Sequence, residues 1–138
     1  MILERFLILL VAIVLGAIVL GVWRLWLAQR VQKLATKAAP NELDELVPAG
    51  PALLYFTTED CVQCRLQQTP ILTQLTATTN VAVYKFDAVK QETLANFFGI
   101  MTVPTTIWLD KMHRPAAINH GLTGLVQLRQ QAKAVHAC

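Results

Sequence analysis

The chain has 138 residues, enough for one small domain, and 54% of them are hydrophobic. It carries 12 Lys and Arg residues against 9 Asp and Glu residues, which gives a net charge of +3. Beyond residue 37 the two signs are nearly balanced, so the positive charge is concentrated near the N-terminus and we expect no nucleic-acid partner.

An uncharged apolar segment begins after the first five residues. It extends for 18 residues from Phe6 to Trp23, or on to Leu27 if Arg24 is accepted as a single interruption. A helix needs about 20 apolar residues to cross the hydrocarbon core, so residues 1–28 are predicted to form one transmembrane helix. A cleaved signal peptide fits less well, because its apolar region is usually about 7–15 residues long and no small-x-small site follows here.

The residues that flank this segment predict its depth and orientation. Trp23 and Trp26 fit an interfacial aromatic belt, with residues 6–27 in contact with the lipid bilayer. Only Arg5 precedes the span, whereas four basic residues follow its apolar part: Arg24, Arg30, Lys33 and Lys37. Because basic flanks stay inside, we expect a single-pass protein of the cell membrane whose C-terminal domain faces the cytoplasm.

Residues 29–50 are predicted to link the span to a folded domain. The basic helix is expected to continue to Lys37 and to break before Pro40, since proline removes a backbone donor. Asn41 is expected to cap a brief helix that ends at Val47.

Residues 51–138 alternate between short β-type and helical patterns and are predicted to form one α/β domain. Strands are predicted for four runs rich in apolar and β-branched residues: Ala52–Phe56, Val81–Phe86, Thr105–Leu109 and Ala116–His120. Helices are predicted from Val62 to about Thr79, from Gln91 to Phe98 with Gly99 as its C-terminal cap, and after Thr123 as an N-terminal cap. In this βαβαββα order the first two strands should be parallel and the last two antiparallel.

Cys61 and Cys64 are the strongest candidates for chemistry. They lie three residues apart at the predicted start of a helix, close enough to form a disulfide or to share a metal ion. A helix N-terminus favours a thiolate, so we expect the pKa of Cys61 to lie below the free value of about 8.5. Cys61 is then the nucleophile, and Cys64 attacks the mixed disulfide and releases the partner.

Other interpretations of the two cysteines are weaker. Zinc needs two further ligands, and no paired spacing occurs among the remaining candidates, His113, His120, His136 and Cys138. Haem attachment is excluded at this motif because Arg65 follows Cys64 where a histidine is required. We therefore expect no metal and no cofactor. A purely structural disulfide stays open, and Cys138 is expected to be a free thiol.

Several segments, in this order along the chain, resemble the thioredoxin superfamily. Leu53 to Phe56, the run Cys61-Val62-Gln63-Cys64-Arg65 and Pro70 are similar to its active-site strand, dithiol and kinked helix. The run from Phe98 to Thr106 resembles the loop that leads to the family's cis-proline, and Gly121 resembles the glycine after its last strand. The resemblance covers roughly residues 51–135 and implies a thioredoxin-like fold with a shortened N-terminal part.

This resemblance also implies a site for partners. It implies a cis peptide bond at Val103-Pro104 beside Cys61, and a substrate-binding role for Val103, Pro104 and Thr105. An extended partner segment would pair with the backbone of Val103.

The chain departs from the family pattern around the dithiol. Asp60 precedes the first cysteine where thioredoxins have Trp, and Val62-Gln63 replaces Gly-Pro between the two cysteines. The negative charge of Asp60 would oppose the Cys61 thiolate, whereas Arg65 would favour it.

Three further departures concern the supporting structure. Tyr55 falls at the position of the family's buried acid, so it is a third candidate, with Asp60 and Arg65, for tuning the pKa of the thiols. Without that acid, the proton of the second cysteine would pass to Glu59, Asp60 or water. Pro70 comes one residue later after the second cysteine than in thioredoxin itself. The family's first strand is missing or is replaced by residues 41–47.

The sequence as a whole predicts a membrane-anchored protein with a thioredoxin domain, acting as a thiol-disulfide oxidoreductase on protein disulfides or dithiols. The alternative is an accessory or assembly subunit of a membrane protein complex, in which the domain binds a partner and its redox chemistry is secondary.

Overall fold

The structure, a computed structural model, describes residues 1–36 and 40–137. In chain order its elements are α1 (Ile2–Thr36), α2 (Asn41–Leu46), β1 (Ala52–Thr57), a wide helical turn (Cys64–Gln68) that leads directly into α3 (Thr69–Thr78), β2 (Ala82–Asp87), α4 (Glu92–Phe98), β3 (Thr105–Leu109), β4 (Pro115–His120) and α5 (Leu125–Ala137). The predicted break of the basic helix at residues 37–39 and the C-terminal Cys138 lie outside the described residues.

The four strands form one mixed sheet in the order β2-β1-β3-β4. β1 is parallel to β2 and antiparallel to β3, and β3 and β4 form an antiparallel hairpin. The predicted α/β class, element order and strand directions are therefore confirmed. The strand ends differ from the prediction by one residue, since β1 extends to Thr57, β2 runs from Ala82 to Asp87 and β4 begins at Pro115.

The central strand β1 separates two hydrophobic cores. All six of its residues are buried, as predicted from the apolar run. Leu54 and Phe56 pack on one face, in a cluster with residues of α2, α4 and β3. Leu53 and Tyr55 pack on the other face, together with Cys64 and with residues of α3, β3 and α5. Trp108 on β3 is fully buried in this second core, where its Nε1–H donates to Gln131 Oε1 at 3.0 Å.

Two of the three predicted helix caps are wrong. Pro40, in an extended conformation, precedes α2, and Asn41 is its first helical residue with no side-chain cap. The hydroxyl of Thr123 donates to Gly121 O at 3.3 Å, while the carbonyl of Gly124 accepts the Leu128 N–H at 3.1 Å and opens α5. In both places a backbone carbonyl, of Pro40 or of Gly124, accepts the first helical N–H, and the predicted side chain does not cap the helix.

The third cap is confirmed. Gly99 ends α4 with φ of 66°, in the left-handed region that glycine adopts without strain. It also lies against α1, since a Cβ added there would be 3.4 Å from Arg30 Nη2.

The helix α1 contains one candidate membrane span. Ile2–Arg30 is long and apolar enough to cross a bilayer, with a mean hydropathy of 3.0, and the span's most apolar part is not buried within the chain. The C-terminal part of the span meets the domain. A cavity of about 230 Å³ is lined there by Trp23, Trp26, Leu27, Arg30, Phe98, Gly99, Ile118 and His120. Burial lowers the pKa of His120 below its ordinary value, and the charge of Arg30 acts in the same direction.

The short helix α2 is held to the β3–β4 turn by His113. The ring of His113 contacts Asp44 Oδ1 at 2.8 Å through Nδ1 and Pro48 O at 3.0 Å through Nε2. Burial by itself would lower the pKa of His113, but the bonds to Pro48 and Asp44 and the charges of Asp44 and Asp110 raise it overall. Two acceptors suit the doubly protonated ring, which donates from both nitrogens.

We expect His113→Gln to destabilise the protein more in acid than in base. Because the folded pKa is raised, the stabilisation is complete below the unfolded pKa of about 6.5 and is lost as the pH rises through the folded pKa. Urea unfolding of the detergent-solubilised chain should show a loss of up to about 1 kcal/mol near pH 5.5 and a smaller loss near pH 8.5.

Asp44→Asn serves as the matched variant, since it removes the carboxylate and should reproduce the same pH dependence. A loss that is equal at the two pH values would instead show that only the left-handed backbone at His113, with φ of 55°, matters.

Candidate active site

The dithiol lies just beyond the carboxyl end of β1, where the central strand leaves the sheet. Cys61 and Cys64 form a disulfide with their Cα atoms 5.2 Å apart, so the structure represents the oxidised form. Cys61 is partly exposed, whereas Cys64 is only 1% exposed. A sulfur atom of a partner therefore has access to Cys61 and not to Cys64.

Backbone hydrogen bonds set the environment of the exposed cysteine. The N–H of Cys64 donates to Cys61 Sγ at 3.1 Å, and the N–H of Cys61 donates to Thr58 O at 3.2 Å. A backbone donor aimed at a sulfur stabilises the thiolate more than the thiol. The arrangement therefore favours Cys61 as the attacking sulfur once the disulfide is reduced.

Tyr55, at the position of the family's buried acid, contacts the backbone of the second cysteine. Its phenol donates to the Cys64 carbonyl at 3.2 Å and lies 3.3 Å from Thr69 Oγ1. The structure thus brings Tyr55 to Cys64, and the contact is with the carbonyl oxygen rather than the sulfur. The tuning role of Tyr55 stays a prediction. Tyr55 holds the start of the helix in place.

The charged candidates near the dithiol lie on the surface. Asp60 and Arg65 are both exposed. Glu59 binds Lys90 through a 2.5 Å contact, and this hydrogen bond and charge raise the pKa of Lys90. Glu59 is therefore engaged with a cation in this structure.

The loop before β3 has the geometry that the resemblance implied. The Val103-Pro104 peptide bond is cis. Val103 is partly buried against the same hydrophobic cluster that contains Cys64 and that Cys61 contacts. Pro104 is buried and its carbonyl accepts the N–H of Gly121 at 2.8 Å. The predicted substrate loop and the dithiol thus share one hydrophobic cluster.

Thr105 contributes differently from the other residues predicted in this loop. Its side chain is fully buried and donates to Thr102 O at 2.7 Å. The hydroxyl is therefore turned into the loop, where it fixes the backbone that leads to the proline.

Sequence reasoning missed Gln68. Its side chain is fully buried, and its amide bonds both backbone groups of Thr123: Oε1 accepts the Thr123 N–H at 2.8 Å and Nε2 donates to the Thr123 carbonyl at 3.2 Å. The signal available in the sequence was Pro70, which comes one residue later than the family pattern has it.

In the described part of the chain, no group of three or more His, Cys, Asp and Glu side chains is placed to hold an ion. The expectation of no metal stays a prediction. Cys138 lies outside the described residues, so its role as a free thiol stays a prediction.

A sequence model described as Thioredoxin matches residues 31–134, three quarters of the chain. The chain belongs to the thioredoxin family. Together with the Cys61–Cys64 pair at disulfide distance, this membership supports thiol-disulfide oxidoreductase activity. No curated protein matches the sequence.

Solved structures agree on the fold. A mutant thioredoxin from Halobacterium salinarum NRC-1 is 23% identical, with a TM-score of 0.62 over 70% of this chain and 85% of that one. A malarial protein is 25% identical, with a TM-score of 0.55 over 62% of this chain and 97% of that one. Thioredoxin-2 of the malaria parasite, a component of its protein secretion machinery, is 25% identical, with a TM-score of 0.56 over 62% and 82%.

We expect Cys61 to be alkylated faster than Cys64 in the reduced protein. The expectation follows from the partial exposure of Cys61 and from the N–H that faces its sulfur. Brief treatment with iodoacetamide at neutral pH, followed by peptide mass spectrometry, measures the two rates. Cys138→Ser provides a background without the third thiol, and equal rates at the two remaining cysteines would contradict the asymmetry.

Proposed function

We propose that the chain is a membrane-tethered thiol-disulfide oxidoreductase in which Cys61 attacks and Cys64 resolves. One observation carries the proposal: a disulfide with one partly exposed and one buried sulfur lies beside a cis-proline loop in a thioredoxin-family domain.

The exchange proceeds in two balanced steps. The Cys61 thiolate attacks one sulfur of a partner disulfide, which forms a mixed disulfide and releases the other partner sulfur as a thiolate. The Cys64 thiolate then attacks the Cys61 sulfur, closes the intramolecular disulfide and releases the second partner sulfur. Two electrons pass from the dithiol to the partner, and the reverse sequence oxidises a partner dithiol.

The substrate loop comprises Val103, Pro104 and Thr105. An extended partner segment would pair with the backbone of Val103, as in strand addition. The buried Thr105 hydroxyl and the bond from Gly121 to the Pro104 carbonyl support this role, because they hold the loop in one conformation. Asp60 and Arg65 would modulate the Cys61 thiolate by their charges, and Tyr55 by its bond to the Cys64 backbone.

The proposed tether is the apolar helix. Residues 1–28 would cross the bilayer, residues 29–50 would connect, and residues 51–138 would form the catalytic domain. The candidate span supports the first of these segments. The family match covers residues 31–134, so it includes the proposed domain and also most of the connecting segment. The basic residues after the apolar part favour a cytoplasmic domain.

We expect Cys64→Ser to trap partners covalently. Serine keeps the size of the side chain but removes the resolving thiol, so the mixed disulfide at Cys61 persists. Adducts should appear on non-reducing gels of native membranes and disappear with reductant. Cys61→Ser/Cys64→Ser should trap none, and Cys138→Ser should leave the trapping by Cys64→Ser unchanged.

The trapping experiment also tests the accessory-subunit alternative. If Cys64→Ser forms no adducts while the chain still co-purifies with a stable membrane partner, the domain acts in binding and the oxidoreductase proposal is wrong. The exposed apolar surface of α1 would then be the first place to look for the contact.

The membrane arrangement makes a separate prediction. The chain should sediment with membranes and resist carbonate extraction, and protease should digest the domain in inverted vesicles but not in sealed right-side-out vesicles. Digestion only in right-side-out vesicles would reverse the topology, and a chain found in the soluble fraction would contradict the tether.

A further inference from the structure

The dithiol helix contains one wide turn that absorbs an extra residue. Between Cys64 and Gln68 the hydrogen bonding is of the π type, and the Thr69 N–H bonds the Cys64 carbonyl five residues back. Pro70 follows at once and has no N–H to offer the preceding turn. Such single-turn widenings are rare in helices and often occur at functional sites.

The wide turn contains a polar side chain that is fully buried. Gln68 is 0% exposed, and its side-chain amide forms two hydrogen bonds to the backbone of Thr123. These bonds join two residues that are 55 positions apart in the sequence. Burying an amide costs free energy unless it is hydrogen-bonded, and removing the amide would leave the buried N–H and carbonyl of Thr123 without their partner.

The amide is one link in a chain of contacts from the dithiol to the substrate loop. Gln68 lies four residues after Cys64 and holds Thr123. Two residues before Thr123, the N–H of Gly121 donates to the Pro104 carbonyl at 2.8 Å. The connecting segment from Gly121 to Thr123 thus contacts the dithiol helix at one end and the cis-proline at the other.

We propose that Gln68 is a positioning residue that sets the substrate loop against the dithiol and so supports exchange with peptide disulfides in particular. This inference rests on the proposed function. A peptide must reach Cys61 and also pair with the backbone of Val103, so its rate depends on where the loop lies. A small disulfide needs only the exposed sulfur of Cys61.

Three variants separate this role from general stability. Gln68→Met keeps the length of the side chain and removes both hydrogen bonds. Gln68→Glu keeps the acceptor for the Thr123 N–H and supplies a donor for the Thr123 carbonyl only when its carboxyl is protonated. Gln67→Met is the matched control, because Gln67 is the exposed neighbour of the same residue type.

The experiment compares two substrates with the full chain in detergent: a disulfide-linked peptide and hydroxyethyl disulfide. For Gln68→Met we expect the rate with the peptide to fall about 10-fold, since small displacements of positioning groups have effects of this order or more. The rate of Gln68→Met with hydroxyethyl disulfide should stay within about twofold of the wild-type rate. For Gln67→Met, the rates with both substrates should stay within about twofold of the wild-type rates. For Gln68→Glu the ratio of the two rates should recover as the pH is lowered.

Hydrogen exchange gives a readout independent of activity. The amides of Gly121 and Thr123 should exchange faster in Gln68→Met than in the wild type and in Gln67→Met. Equal losses on both substrates, or unchanged exchange, would overturn the proposal. A wild-type chain that neither reduces these two disulfides nor oxidises the corresponding dithiols would refute the proposed function itself. An active wild type whose Gln68 variants behave like it would refute only the role of Gln68.

Discussion

The burial of β1 on both faces is the constraint on which the rest of the domain depends. Its residues alternate between two cores, with Leu54 and Phe56 in one and Leu53 and Tyr55 in the other. A strand without a solvent face requires helices on both sides and partner strands on both edges, and β2 and β3 provide those edges. The carboxyl end of this strand is paired on both edges, to Asp87 of β2 and through Phe56 to Thr105 of β3, and the dithiol follows it in the chain.

The dithiol helix shows how a local irregularity is used by the surrounding fold. One residue more than the family pattern separates Cys64 from Pro70, and the wide turn absorbs it without ending the helix. The same turn directs the buried Gln68 amide toward Thr123, while the Tyr55 phenol bonds the Cys64 carbonyl from the central strand. The second cysteine is thus buried and anchored, and the first remains open to a partner.

The helix α1 meets the domain through a small set of contacts near the end of its candidate membrane span. Trp23, Trp26 and Leu27 contribute apolar surface near the end of the candidate span. Arg30 lies beside Gly99, where an added Cβ would be 3.4 Å from Arg30 Nη2. The contact lies beside β4, whose last residue, His120, is paired with Thr105 next to the cis-proline. The end of the candidate span and the cis-proline loop are therefore close to the same end of the sheet.

The sequence by itself determined the elements, their order, the dithiol and the resemblance to one family. Each of these depends on a local signal, such as hydrophobic periodicity, the glycine at position 99 or the spacing of the two cysteines, and each signal spans only a few residues. Only the tertiary structure decided the caps of α2 and α5 and the partner of Gln68. It also decided the contact between His113 and Asp44, 69 residues apart. Such pairings depend on which faces meet after folding, and a local pattern contains no information about a partner that distant along the chain.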